Sequence, residues 1–349
     1  MDHTAVIERM NLFFELLQVA LGTRDRLSRV PSSHEWEEMY KESERQAVAS
    51  FLFSGIERLP AEQSPPIDVK IQLIGAVQMD EATYKMHCKR AAGLTRRCRA
   101  VGFRSCVLKG VGIAQYYPIP ARRISGDIDL WVSGRRKDVM AWLRTKYEII
   151  EVRWHHADAQ IFGDVQTEIH FHATWLFNPI HNWRLQRYFE SEKLAQMIER
   201  EEGFGYPSAE FNAVYSLVHS FHHLLECGIG FRHIVDYYYI VLHLSEADRE
   251  SVVGVVKSTG LYGFLRAMMY VLKEACGMAS EKLLCQPDDE EGEFLLHEIM
   301  AGGNFGYSRT DGKDVNTFSR WSMMVKHYPG EVLWMVPWKV WHWSWRMTH

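Results

Sequence analysis

No run in the sequence approaches the roughly 20 uninterrupted apolar residues that a membrane span requires. The longest candidate, Leu261 to Leu272, is divided by Arg266. Cysteine is scarce. Its six residues (Cys88, Cys98, Cys106, Cys227, Cys276 and Cys285) share no metal-ligand spacing, and a chain of 349 residues needs no disulfide staples, so they read as reduced thiols. A basic surplus is also missing: 40 Lys and Arg against 44 Asp and Glu leave a net charge of -4, which excludes tight nucleic-acid binding through overall charge. Repeats and low-complexity segments are absent. What is present is 47% apolar residues, enough for substantial cores, and the expectation is a soluble, cytoplasmic globular protein with no membrane partner.

The order of elements predicts three regions. Residues 1–100 carry apolar positions three and four apart, as in ERMNLFFELLQVAL, and form an N-terminal helical region whose start reads as a first helix rather than a secretory leader. Its last helix has seven Lys or Arg between Lys85 and Arg104 and no acid, a pattern that usually marks a solvated face. Residues 101–175 alternate strand and helix. Strands are expected at Cys106 to Leu108, Ile128 to Val132, Glu148 to Val152, Ala159 to Phe162 and Thr167 to Phe171, with helices from Val111 and from Arg135 to Lys146 and Ser133 as an N-cap. Residues 176–349 return to helix, interrupted by an acidic loop (Asp288 to Glu293) and a glycine-rich loop (Gly302 to Gly306). They end in a Trp-dense segment expected to pack back on the body.

The chemistry concentrates in SCVLKGVGIAQYYPIPARRISGDIDLWV, Ser105 to Val132, and in QTEIHF, Gln166 to Phe171. Side chains two apart on a strand share a face roughly 6.5 to 7 Å apart, so Asp127 and Asp129 point one way while Ile128 and Leu130 enter a core. Carboxylates so placed can bridge hard cations about 3.5 to 4 Å apart, the arrangement that clamps attacking and leaving oxygens in phosphoryl transfer. Glu168 supplies a third ligand from a neighbouring strand. The turn at Lys109 and Gly110 leads into a helix N-terminus that would favour phosphate. Arg123 offers a guanidinium fork to phosphate oxygens.

The sequence of Leu-Lys-Gly, Tyr-Pro, Arg-x-x-Gly-Asp-Ile-Asp-Leu and Glu-Ile-His resembles the uncharacterised bacterial nucleotidyltransferases of the DNA polymerase beta-like superfamily. HSFHHLLECGIGFRHIVDYY, His219 to Tyr238, and GGNFGYSR, residues 302–309, extend the resemblance. It implies an α+β fold, a small mixed-sheet nucleotidyltransferase core flanked by N- and C-terminal helical regions. It also implies an enzyme that moves a nucleoside monophosphate from a nucleoside triphosphate, ATP first among them, to an acceptor, with release of pyrophosphate. Mg²⁺ or Mn²⁺ would be held by Asp127, Asp129 and Glu168, and nucleotide by Lys109, Gly110, Arg123 and Gly126. The superfamily's Gly-Ser or Gly-Gly turn is replaced here by Lys109-Gly110. The acceptor stays open among small molecules, peptides, proteins and RNA. The alternative is a catalytically inactive nucleotide-binding or protein-interaction module of the same fold.

Four more residues are candidates for the substrate cleft. His170 shares the face of Glu168, His223 lies one turn after His219, and Arg232 and Asp236 are spaced for a helix ion pair. His219 and His223 also have zinc-ligand spacing, though the Glu of His-Glu-x-x-His is missing.

Overall fold

The computed structural model describes residues 11–191, 198–199, 203–306 and 317–347. The expected helical start at residues 7–10 and the motif residues 307–309 lie outside these. The first helices are α1 (Asn11–Leu21), α2 (Ser33–Arg45), α3 (Ala49–Ile56) and α4 (Ile67–Ala100). Ser32 caps α2 in a capping box with Glu35, a signature that satisfies two otherwise orphaned N-H groups. The 34 residues of α4 reach about 51 Å at 1.5 Å per residue. Its basic run is spent on the solvated face and on packing: Arg90 pairs with Asp164 at 2.6 Å, and Arg90 and Arg97 lie over the Phe162 ring.

The sheet comprises β1 (Ser105–Val107), β2 (Asp127–Val132), β3 (Glu148–Val152), β4 (His156–Gln160) and β5 (Gln166–His170), with α5 (Arg136–Lys146) following β2. Strand order is β1-β2-β5-β4-β3, and β2 runs parallel to β5 while the other pairs are antiparallel. The fold is thus α+β with a mixed sheet. The parallel register sets Asp129 opposite Glu168, and the β4 register sets Asp158 opposite Glu168 and His156 opposite His170. Ile128 and Leu130 are buried in a core with Val107, Ile169 and the end of α4.

Three local expectations are corrected. The helix from Val111 is replaced by two 3-10 turns, Ile113–Tyr116 and Pro120–Arg122. Pro118 and Pro120 offer no N-H to a regular helix, and the backbone before a proline avoids the α region. Gly110 has φ +55, where an added Cβ would sit 2.6 Å from Ser125 Oγ; at Gly112 it would meet the Val107 carbonyl oxygen at 2.4 Å. These glycines let the turn press against its neighbours. Second, Ser133 does not cap α5. Its hydroxyl accepts from the Arg104 N-H at 2.8 Å, tying β2 to the end of the α4 connection, and Arg135 occupies the cap position. Third, β4 begins at His156 rather than Ala159 because its polar residues face β5.

C-terminal to the sheet come α6 (Pro179–Phe189), α7 (Ala209–Glu226), α8 (Phe231–Leu242), α9 (Glu246–Ser258), α10 (Tyr262–Glu274), α11 (Asp289–Gly302), α12 (Thr317–His327) and α13 (Pro329–Arg346). The helices before and after the sheet share one apolar core, with Phe13 and Phe14 each 5.7 Å from the Phe231 ring. The expected acidic loop is the first turn of α11. Asp288 accepts from the Glu291 N-H, and the following acids suit the helix's positive end. Helix α13 packs by one side only. Glu331 is buried and accepts from the N-H groups of Phe177 and Asn178, and Trp338 stacks on Trp175. Trp334, Trp341 and Trp343 stay largely exposed, although the Trp341 ring still meets the edge of Trp154. Among the described residues, no helix is long and apolar enough to cross a membrane.

Candidate active site

Between the sheet and helices α7 and α8 lies a cleft of about 460 Å³. Lys109, Gly110, Arg123, Gly126, Asp127, Glu168, His170, His223, Arg232 and Asp236 all line it. Asp129 lies at its floor, 1% exposed. One oxygen from each of Asp127, Asp129 and Glu168 falls within 4.8 Å of the others. The β2–β5 register produces this convergence, because directly opposed residues of neighbouring strands share a face. A larger cavity of about 550 Å³, walled by Trp131, Arg136 and Phe171, contains no comparable group of ligand side chains among the described residues.

The three carboxylates are not left to repel one another. Lys109 Nζ donates to Asp129 Oδ1 at 2.7 Å, and His170 Nε2 lies 3.0 Å from the same oxygen and 3.2 Å from Glu168 Oε2. Burial opposes charge on His170, but its hydrogen bonds to Asp129 and Glu168 prevail and lift it to about 9, so it is an imidazolium donating to both. Burial likewise opposes charge on Glu168 and Lys109. Hydrogen bonding from His170 and the charge of Lys109 nevertheless hold Glu168 below the usual carboxylate range, and the neighbouring Asp129 carboxylate raises Lys109. Asp129 Oδ2 is buried without a hydrogen-bond partner among the described residues. A buried carboxylate oxygen left open beside two further carboxylates fits a divalent cation with oxygen preference.

Arg123 does not stand open to the cleft. It is 7% exposed and grips Asp236 with both arms, Nε to Oδ1 at 3.0 Å and Nη2 to Oδ2 at 2.7 Å, while the Tyr117 hydroxyl donates to Asp236 Oδ1 at 2.6 Å. Asp236 is therefore the partner of Arg123, not of Arg232. Arg232 lies over the Phe305 ring at 5.0 Å, and no described carboxylate pairs with it. Burial and the nearby Arg123 charge lower its affinity for a proton. An added Cβ at Gly126 meets nothing within 4 Å, so the backbone beside Asp127 is open to the cleft.

The sequence reading missed His155, His156, Tyr215 and His233. His156 Nδ1 lies 3.6 Å from Glu168 Oε2. Its alternation with Asp158, matching that of Glu168 with His170, is the signal that would have placed it on a strand. Five rings lining the cleft are held neutral. Burial lowers His155, His219 and His233 well below the ordinary value and takes His156 and His223 to about 3. An unfolded histidine titrates near 6.5, so below that pH the unfolded chain binds more protons and stability falls with pH. Their contribution is complete above about 6.5 and is lost as pH falls towards the folded-state values. Asp158, raised to about 6 by burial and Glu168, acts in the opposite sense, as do Asp80 and Glu331, raised chiefly by burial, but the lowered histidines, which include His87, His172 and His222, outnumber them. His170 forms the other limb: its stabilisation is complete below 6.5 and fades as pH rises through about 9. The denaturation midpoint of the protein in EDTA is expected to fall between roughly pH 6.5 and 5. A flat profile there contradicts neutral burial of the rings.

A family model described as an uncharacterised nucleotidyltransferase matches residues 32–277. The chain belongs to that family. The match takes in the five-stranded sheet, the carboxylate group and both helices that wall the cleft, while α11 to α13 lie beyond it. A solved structure similar to this chain is an antigenic nucleotidyltransferase-like protein from Paracoccidioides brasiliensis, at 11% identity and TM-score 0.31, covering 49% of this chain and 87% of that one. So loose a superposition assigns nothing to individual residues. No curated protein matches the chain.

Proposed function

We propose that the protein transfers a nucleoside monophosphate from a nucleoside triphosphate, with ATP the first candidate, to an acceptor nucleophile and releases pyrophosphate. The observation that carries this reading is the convergence of Asp127, Asp129 and Glu168 around an open buried oxygen, in a cleft that also presents Lys109 and Arg232. Asp127, Asp129 and Glu168 would hold Mg²⁺ or Mn²⁺, which when bound offsets phosphate charge and polarises the transferred phosphoryl group. The bond that forms joins the acceptor's oxygen to the α-phosphorus. The bond that breaks frees pyrophosphate, and the acceptor's proton leaves towards the ionised Glu168 carboxylate. Arg232 replaces Arg123 as the guanidinium available to phosphate oxygens, with the open backbone at Gly126 in the same cleft. Arg123, locked to Asp236, positions the entry to β2.

The test uses the full chain, Mg²⁺ and nucleoside triphosphates labelled at the α-phosphorus, offered pools of small molecules, peptides, proteins and RNA. Label should appear in one pool with matching pyrophosphate release, and Arg232→Ala should weaken triphosphate binding by about 1.5 to 3 kcal/mol, the range for a hydrogen bond to a charged group. Release of unlabelled orthophosphate without transfer contradicts the reading.

A further inference from the structure

On the α7–α8 wall of the same cleft, across from the carboxylates, His219, His223 and His233 each direct one ring nitrogen to within 4.8 Å of the others. His219 Nε2 and His223 Nε2 are 3.0 Å apart. Two nitrogens bound to one tetrahedral zinc at about 2.0 to 2.1 Å stand roughly 3.3 Å apart, so this pair already has nearly the separation that a shared ion sets. His233 is 5% exposed and its Nδ1 has no hydrogen-bond partner among the described residues. A buried, unpartnered ring nitrogen is costly unless something completes it. The outer side of the group is supported: His223 Nδ1 lies 3.5 Å from Cys227 Sγ, and Tyr215 stacks on His219 with ring planes 10° apart. Metal-binding imidazoles are oriented by such outer contacts.

We propose that His219, His223 and His233 form a site for a divalent transition metal of the zinc class, separate from the carboxylate site. The donor atoms decide the class. Three imidazole nitrogens with no carboxylate among them suit zinc and its neighbours, whereas Mg²⁺ requires oxygen ligands. The cleft therefore sorts two kinds of ion by chemistry, the hard one to Asp127, Asp129 and Glu168 and the borderline one to the histidines. Burial, with Lys109 beside His219 and His223 and Arg232 beside His233, keeps the rings in the neutral form that binds metal. Lys109 and Arg232 also repel an incoming dication. Asp129 and Glu168, joined by Asp236 near Arg232, offset that repulsion from across the cleft. A four-coordinate ion held by three imidazoles keeps one position for water or an acceptor group.

The test is a calorimetric titration of Zn²⁺ into the tag-free full chain, stripped of metal and then saturated with Mg²⁺. Wild type should bind one equivalent tightly, and Asp129→Asn should still bind one equivalent, weakened only by the carboxylate charge it loses. His219→Ala and His223→Ala should lose more than the roughly 10- to 100-fold in affinity that removing a ligand's supporting hydrogen bond costs. X-ray absorption at the zinc edge of wild type, which relies on no variant folding, should show a shell dominated by nitrogen at about 2.0 to 2.1 Å. The proposal is overturned by no tight equivalent in wild type, by an oxygen-dominated shell, or by zinc binding that persists in His223→Ala and vanishes in His156→Ala or Asp129→Asn. That last pattern would place the ion at His156, Glu168 and His170 instead.

Discussion

Asp129→Asn is expected to reduce nucleotidyl transfer by about 10³-fold or more and to destabilise the metal-free protein. The activity loss follows from removing the charge that a divalent ion needs, several kcal/mol of transition-state stabilisation, of which about 4 kcal/mol corresponds to 10³. The stability loss reverses what the sequence alone suggests. Three adjacent acids imply that neutralising one relieves repulsion. In the structure Asp129 instead receives the half-buried Lys109 and the buried His170 imidazolium at 2.7 and 3.0 Å, so the substitution leaves two cations short of their acceptor. A buried donor left poorly satisfied costs about 1 to 3 kcal/mol. Urea denaturation in EDTA measures it, and an Asp129→Asn protein more stable than wild type would contradict the placement of Lys109 and His170.

Asp236→Ala should be the most damaging single truncation outside the carboxylate group. It strands the Arg123 guanidinium and the Tyr117 hydroxyl in a site where both residues are 7% exposed or less. Breaking a buried ion pair from one side costs about 3 to 5 kcal/mol, because the remaining charge stays buried without compensation. Arg123→Lys keeps charge but loses the planar fork, so it should weaken the fold in the same direction and to a smaller extent. Denaturant midpoints check both, alongside ATP affinity measured under folding conditions. An Arg123→Lys protein of wild-type stability with weakened ATP binding would show that the fork serves phosphate instead of Asp236.

The parts of the site legible in the sequence were those governed by short-range periodicity. Alternation in Asp127-Ile128-Asp129-Leu130 and in Glu168-Ile169-His170 fixes which side chains share a face, and the parallel pairing of β2 with β5 then brings the acids together. Long-range pairing was not legible. Asp236 is 113 residues from Arg123, and the nearer i, i+4 partner, Arg232, diverted the assignment. The start of β4 was hidden because His156 and Asp158 look like loop residues, yet they are polar because they face Glu168 and His170 across the sheet. The helix expected after Gly110 failed for a related reason: the two glycines serve close approach to Ser125 and the Val107 carbonyl, and the prolines that follow break the helical hydrogen-bond pattern. The basic run of α4 was legible as a largely exposed face, but the pairing of Arg90 with Asp164 and the packing of Arg90 and Arg97 on Phe162 were not, because those partners lie far along the chain.

The central claim is that Asp127, Asp129 and Glu168 assemble a divalent-metal site that recruits the triphosphate. Calorimetric titration of ATP into the full chain, once with saturating Mg²⁺ and once in EDTA, tests it without knowledge of the acceptor. Three carboxylates should repel the phosphates unless metal bridges them, so ATP should bind at least about tenfold more tightly with Mg²⁺, or 1.4 kcal/mol. Equal affinity in EDTA would contradict it.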